Sequence, residues 1–504
     1  MATKKSMDLC QRRSWHSLRH LCMPLCVFML GVCSVPAAMA GTASAQVTVN
    51  TGKVLSSVSL YALGVNTAVW DGHLQDAGVA NLLRTDGVGV MRYPGGSTAD
   101  NFHWQGNTLD DSGSNAGSTA FDQFMQVAQQ VGASPIITVN YGSGSPAEAA
   151  AWVKYANITK HYNIHYWEIG NELYGNGTYG SSWERDLHAQ KGPAAYASNA
   201  LQFIQAMKAV DPSIQVGLVL TAPGNWPDGQ TSGSSPQPWN DTVLQTACSS
   251  ADFVSIHWYP QGPWGESDAG LLTAPRDGES TSVSSTPSIP SMVSTLHSKL
   301  SQYCGAHASS VRIMTTESNS VSYNPGKQTT SLVNALYLAE DYMTWLANGV
   351  INVDWWTTHN SEATGNNNGA NLYGTNNYGD YGLLSDGGSN EPSVNTPFPA
   401  YYGLQIVGKV VGPHDHIVAA SSNQGLVQVY AVKKLNGSVA VLLVNTDPST
   451  TYNVSIAGVP SGFTTASIYT YGESSTAVGV AQASASKAAT QAVAPYSLTA
   501  VVFH

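Results

Sequence analysis

Charge is scarce in this 504-residue sequence: Asp, Glu, Lys and Arg together make up 11% of it. Acidic residues outnumber basic ones 32 to 21, so the chain lacks the basic surface that nucleic acid requires, and no nucleic-acid partner is expected. Cysteine is rare as well, and four of the six (Cys10, Cys22, Cys26 and Cys33) fall within the first forty residues. The histidines are scattered, and His414-Asp415-His416 stands without further ligands, so neither a metal nor a cofactor is expected. A phosphate cradle is missing, because Pro94-Gly95-Gly96 runs into Ser97-Thr98-Ala99-Asp100 without the Lys of a P-loop. The nucleophile elbow of serine hydrolases is missing too: Gly142-Ser143-Gly144-Ser145 is followed by Pro146 rather than Gly. Beyond residue 40 no apolar run is long enough to span a membrane.

Polarity comes instead from Gly, Ser, Thr and Asn, beside 13 Trp and 24 Tyr, a balance common in secreted proteins that handle neutral polar ligands such as sugars. The first forty residues read as a signal peptide. Lys4, Lys5, Arg12, Arg13 and Arg19 precede the apolar run Leu21 to Val35, and Ala38-Met39-Ala40 offers a small-x-small cleavage site. A secreted or periplasmic location follows as the expectation. Removal of that segment leaves 16 basic and 31 acidic residues, a net charge of about −15. Cys248 and Cys304 remain, and an oxidising compartment would allow them one disulfide.

From residue 55 to 410 short apolar runs alternate with longer helical patterns. The runs are Ser57–Val65, Val88–Tyr93, Ile136–Asn140, Tyr166–Gly170, Val216–Leu220, Phe253–Trp258, Val311–Thr316 and Ile351–Trp356. Helical periodicity covers Phe121–Val131, Ala147–Tyr155, Ala194–Val210, Ser291–Tyr303, Ser331–Leu346 and Tyr401–Val410. This rhythm predicts an α/β fold, a (β/α)8 TIM barrel. Helix-to-strand connections are short, whereas strand-to-helix connections such as Pro94–Gly117, Leu173–Gly192 and Thr357–Pro399 are long and rich in Gly, Pro, Asn and Trp. In a barrel these loops gather at the C-terminal ends of the strands, where active sites lie. Residues 413–504 contain only strand-like runs, which predicts an antiparallel β-sandwich, with the early run 47–54 available to its sheet.

Two of the strand-like runs end on a carboxylic acid: Tyr-Trp-Glu-Ile-Gly-Asn-Glu reaches Glu172, and Val-Arg-Ile-Met-Thr-Thr leads into Glu317. A lone Glu at a strand end is usually salt-bridged or solvated, and Glu168 and Glu340 are assigned to that class. Two at equivalent ends of the fourth and seventh strands reverse those odds. Strands four and seven face each other across a barrel mouth, which suits a separation of roughly 5 Å and a retaining, double-displacement hydrolysis of glycosides. Glu172 is then the acid/base and Glu317 the nucleophile. Arg92, ending strand two, is available to hold Glu317 ionised or to pair with Glu168. Asn171 and Asn140 end strands at the same mouth, placed for sugar hydroxyls. His257, Trp258 and Tyr259 end strand six; Tyr259 is the candidate to hydrogen-bond Glu317, while Trp258 and Trp356 suit either the core or a sugar-stacking surface. Asp71, Asp100, Glu266, Asp386 and Glu391 sit in loops, read as substrate contacts or solvated acids.

Asn171-Glu172 after a fourth strand and Glu317 after a seventh resemble the retaining glycoside hydrolases of clan A. Arg-Tyr-Pro-Gly-Gly (Arg92 to Gly96) and the stretch Asn140 to Asn157 are similar to segments of the α-L-arabinofuranosidases of glycoside hydrolase family 51. The resemblance covers the barrel and the C-terminal sandwich. It implies Glu172 as acid/base, Glu317 as nucleophile, supporting roles for Asn171, Asn140, Arg92 and Tyr259, and a plant cell wall polysaccharide or oligosaccharide as substrate. The Trp-Glu-Ile-Gly-Asn-Glu form is equally similar to the β-xylosidase and β-glucuronidase branches of the clan, and endo-acting glucanases or xylanases share the chemistry. A uronic acid would require a cation in the loops, for which Arg185, Lys191 and Arg276 are the candidates. A barrel that binds carbohydrate without cleaving it is the reading from another class.

Overall fold

Eight short strands, each buried on both faces, close into an all-parallel barrel. They are β1 (Leu63–Asn66), β2 (Val90–Tyr93), β3 (Ser134–Val139), β4 (Tyr166–Ile169), β5 (Gln215–Val219), β6 (Phe253–Trp258), β7 (Arg312–Ser318) and β8 (Val353–Trp355). The computed structural model describes residues 41–504 apart from 111–112, 234–236, 281–284 and 367–368. The signal peptide expected over residues 1–40 lies outside the described residues.

The barrel interior is layered by the two-residue period of a strand. Val90, Ile136, Phe253 and Met314 form an apolar plug with Tyr61 and Tyr166 packed against it. Gly217 leaves room for the Phe253 ring, which would lie 2.1 Å from a Cβ at that position. Two residues further along β2, β3, β4 and β7 stand Arg92, Thr138, Glu168 and Thr316. They are hydrogen-bonded to one another: Arg92 Nε, Thr138 Oγ1 and Thr316 Oγ1 all donate to Glu168, at 2.8, 2.8 and 3.0 Å. A polar floor thus lies between the plug and the mouth.

Outside the barrel, Phe121–Val131, Pro146–Val153, Pro193–Val210, Ile289–Cys304, Leu332–Ala347 and Pro399–Val410 are helical, close to the periodicity in the sequence. Val79–Thr85, Trp239–Ala247 and Asp268–Asp277 are further helices, set among residues rich in Gly and Pro. No helix among the described residues is long and apolar enough to cross a membrane.

After the barrel the chain builds a nine-stranded sheet, into which the N-terminal strand Gly41–Ser57 inserts between His416–Ser422 and Thr450–Ala457. All pairings are antiparallel except that of Gly41–Ser57 with Thr450–Ala457. Val47, Val454 and Val493 from one end of the sheet share a buried cluster with Val441, Ala466 and Val501 from the other, so the sheet closes on itself as a sandwich. Its second buried face, including Leu442, Val444 and Val502, packs into the barrel's main apolar core. Helix Leu332–Ala347, caught in that core, is buried along nearly its whole length. Its Glu340 takes Arg276 Nε at 2.9 Å, and Asp341 takes Trp345 Nε1 at 2.8 Å.

Cys248 and Cys304 form a disulfide with a Cα separation of 5.3 Å, tying the ends of helices Trp239–Ala247 and Ile289–Cys304 together. Closing a loop of 56 residues restricts the unfolded chain, so Cys248→Ser with Cys304→Ser should lower unfolding stability by roughly 2–4 kcal/mol. Guanidinium unfolding of the double variant, against the oxidised and reduced parent, checks this.

Candidate active site

Just past β4 the chain must leave the barrel sharply, and Gly170 permits it with φ of 73°. A Cβ there would meet Leu173 at 2.2 Å. Asp100 fixes the turn: its carboxylate accepts the backbone N–H of Asn171 at 2.8 Å, and those of Tyr141 and Gly142 at 3.2 and 3.1 Å. Asn171 and Glu172 are thereby set at the mouth. Across it, β7 carries a bulge: Thr315 pairs with Ile256 but Glu317 with His257, so Thr316 is left over. Such an extra residue breaks the strict alternation, so Thr316 joins the polar floor while the next residue, Glu317, still faces inward and lines the mouth.

One carboxylate oxygen each from Glu172 and Glu317 and a ring nitrogen of His257 all lie within 4.8 Å of one another. Glu317 is nearly buried and accepts Tyr259 OH at 2.5 Å and Arg92 Nη1 at 3.3 Å. Arg92, fully buried, therefore serves both acids named for it, since it also pairs with Glu168 at 2.8 Å. Asn66 and Asn171 accept its remaining N–H groups at 2.9 and 2.8 Å. Glu172 accepts three donors: His257 Nδ1 and Tyr174 OH at 2.9 Å each, and Trp183 Nε1 at 2.7 Å.

These contacts divide the protons. Burial opposes charge on Glu172, but His257, Trp183 and Tyr174 outweigh it and hold the carboxyl below its ordinary range. Burial pushes Glu317 up, helped by the charge of Glu172, while His257, Arg92 and Tyr259 pull the other way. His257 is raised by Glu317 and Glu172 despite its burial. With Glu172 lowered and His257 raised, the 2.9 Å hydrogen bond between them favours the imidazole as donor and puts a proton within one transfer of Glu172.

Not every candidate from the sequence reaches the mouth. Trp258 follows the inward His257 along an extended strand, so it points outward, where it packs on Tyr337 and Trp345 and donates to Thr286. Its place is the core. Asn140 spends its amide on a local turn, accepting the N–H groups of Ser143 and Gly144 at 2.9 and 3.0 Å and donating to Phe102 O and Ser143 Oγ. It does not line the cleft. Asp71 and Asp100 are buried structural acceptors rather than solvated loop acids. Arg185 pairs with Asp110 and Arg276 with Glu340, and neither they nor Lys191 lines the cleft.

The cleft measures about 830 Å³ and is walled by Trp356, Tyr381, Tyr174 and Trp183, with no Lys or Arg among its described lining residues. Trp183 and Trp226 pack 5.4 Å apart on one rim, 42% and 47% exposed. Glu184 was not legible in the sequence. It lies buried in a Gly-rich loop, accepts Asn171 Nδ2 at 2.9 Å and Ser97 Oγ at 2.5 Å, and is pushed up to about 7 by burial and by the charge of Glu172. A Glu in a loop without periodicity carries no positional signal.

No protein-family model matches the chain. Alpha-L-arabinofuranosidase C of Emericella nidulans is 29% identical over 208 residues, 36% of this chain and 39% of that protein. An intracellular exo-α-(1→5)-L-arabinofuranosidase of Acetivibrio thermocellus is 25% identical over 226 residues, 40% of this chain and 41% of its own. The chain thus spans about two fifths of the curated relatives it matches. Over 92% of its length its structure is similar to the family 51 α-L-arabinofuranosidase of Thermotoga petrophila, all of which is covered, with a TM-score of 0.67 at 18% identity. It is also similar to a family 44 xyloglucanase of Paenibacillus polymyxa, with a TM-score of 0.63 at 12% identity, 92% of this chain and 100% of the other being covered. The barrel-plus-sandwich fold is common to these proteins.

Proposed function

We propose that this chain is a retaining glycoside hydrolase that removes α-L-arabinofuranosyl residues from plant cell wall polysaccharide. The observation that carries the reading is the pair Glu172 and Glu317, with oxygens within 4.8 Å of each other at a barrel mouth. That spacing suits attack by one carboxylate and leaves no room for the water that an inverting pair requires. Glu317, held by Tyr259 and Arg92, attacks the anomeric carbon and forms a glycosyl-enzyme ester. Glu172, receiving the proton of its His257 hydrogen bond, protonates the departing glycosidic oxygen. Water then enters, Glu172 takes its proton, and the ester is hydrolysed with net retention.

The likeness to arabinofuranosidases in sequence and in structure supports the furanosyl sugar. The absence of Lys and Arg from the described cleft lining weighs against a uronic acid, and so against a β-glucuronidase. The basic-then-apolar pattern of residues 1–40, read as a signal peptide, supports action outside the cytoplasm. A second reading, endo-acting cleavage of a backbone chain, is favoured by the exposed Trp183–Trp226 pair and by Trp264 and Tyr323, 66% and 59% exposed with Tyr323 on the cleft rim.

Hydrolysis of aryl α-L-arabinofuranoside, β-D-xyloside, β-D-glucoside and β-D-glucuronide tests the proposal. The arabinofuranoside should be cleaved at least about tenfold faster than the others, a margin of 1.4 kcal/mol or more. Silence toward all four with depolymerisation of arabinoxylan or xyloglucan would select the endo-acting reading; no turnover of any of these sinks both.

A further inference from the structure

The loop from β8 to helix Pro399–Val410 gathers three carboxylates that the glycosidase chemistry does not use. One oxygen each from Asp380, Asp386 and Glu391 lies within 4.8 Å of the others. Asp380 is fully buried, and although Oδ1 accepts the N–H of Gly382, its Oδ2 has no hydrogen-bond partner. Glu391 repeats the pattern: Oε2 accepts Ser385 Oγ at 2.7 Å and Gly388 N–H at 3.3 Å, while the buried Oε1 has no partner. None of the ion pairs among the described residues involves any of the three.

We propose that Asp380, Asp386 and Glu391 form a binding site for a divalent cation, calcium in preference to magnesium. Buried carboxylate oxygens without donors are compensated either by protons or by a cation. One proton can join only one pair of the three acids. A hard cation engages all of them, because carboxylates are the ligands such ions select. Magnesium keeps several waters and is usually held by one or two carboxylates in a regular octahedron, whereas three protein carboxylates in an irregular loop suit the larger, more flexible shell of calcium. Asp386 and Glu391 are partly exposed, which provides an entry path and room for water ligands.

The site bears on the cleft through one residue. Asp380 adjoins Tyr381, a cleft-wall residue whose OH donates to Val321 O at 2.9 Å and whose ring meets that of Tyr259 edge-on at 6.5 Å. Tyr259 in turn donates to Glu317. Calcium would therefore stiffen the wall behind the nucleophile.

Thermal unfolding of the full chain at pH 7.5, after chelation and then with added CaCl2, tests the site. Calcium at about 100 times its Kd should raise Tm by roughly 2–4 °C, saturably, and MgCl2 at equal ionic strength should give less than half of that. In Asp380→Asn with Glu391→Gln the calcium shift should vanish. Should that variant fail to fold, Asp386→Asn, which alters a partly exposed ligand, should move the calcium midpoint up about tenfold. Equal Tm with and without calcium, a calorimetric titration without saturable heat, or a calcium shift that survives both substitutions would each overturn the proposal.

Discussion

Glu317→Ala is expected to lower kcat/KM on an aryl α-L-arabinofuranoside by on the order of 10⁵-fold, a loss of about 7 kcal/mol of transition-state stabilisation. The size follows from the kind of group removed: without the carboxylate no glycosyl ester forms, and no neighbour replaces it. Glu172 is committed to the departing oxygen in the proposed mechanism, and Glu168 is locked beneath by Arg92, Thr138 and Thr316. The fold should survive, because Arg92 keeps its contacts with Glu168, Asn66 and Asn171 when Glu317 is gone. Steady-state kinetics and circular dichroism on the same preparation check both halves. Sugar binding, read by calorimetry with arabino-oligosaccharide, should persist. Equal turnover by variant and parent would remove Glu317 from the nucleophile's place, and no turnover by either, with sugar binding kept, would return the chain to a carbohydrate-binding protein.

The eight barrel strands were legible because parallel strands covered by helices bury both faces, so they read as short, mainly apolar runs such as Val216–Leu220. What escaped had no such signature. Helix Val79–Thr85 is seven residues long, too short to establish a period, and Asp268–Asp277 carries Pro275 inside it. Strand Gly479–Ser484 is almost entirely exposed and shows no alternation of apolar and polar residues. In the site, strand ends gave Glu172, Glu317, Arg92, His257 and Tyr259, because strand termini are fixed points of a barrel. Trp258 was a matter of parity: a neighbour of an inward His must face outward. Glu184, Tyr174 and Trp183 come from the loop after β4, where geometry is set by tertiary contacts. Asp386 and Glu391 were read as substrate contacts or solvated acids, and Asp380 was not singled out, because carboxylates brought together by the fold, unlike Cys and His clusters, follow no spacing rule in a loop.

Glu172→Ala separates the two halves of the reaction by their demand for a proton. For an oligosaccharide, whose departing alkoxide is a strong base, rates should fall by about 10²–10⁴-fold. An aryl arabinofuranoside with an acidic phenol departs without help, so its first step should be slowed far less. Its second step still lacks the base that activates water. The glycosyl ester on Glu317 should therefore accumulate, visible as a burst of phenol and as kcat and KM falling together. Azide, a nucleophile that needs no base, should restore turnover. The pH profile adds a readout of the same proton. In the parent the alkaline limb marks loss of the proton held between Glu172 and His257, and the acid limb marks protonation of Glu317. Removing the Glu172 charge, which raises Glu317, should shift the acid limb to lower pH, and the alkaline limb should disappear for the aryl substrate. Replacing His257 by Asn works in the opposite sense on Glu317, since the imidazole lowers it, and should move the acid limb to higher pH. Equal losses on both substrates, with no burst and no rescue by azide, would mean that Glu172 positions the sugar and that the proton comes from another group, with the buried Glu184, hydrogen-bonded to Asn171, the next carboxyl to replace.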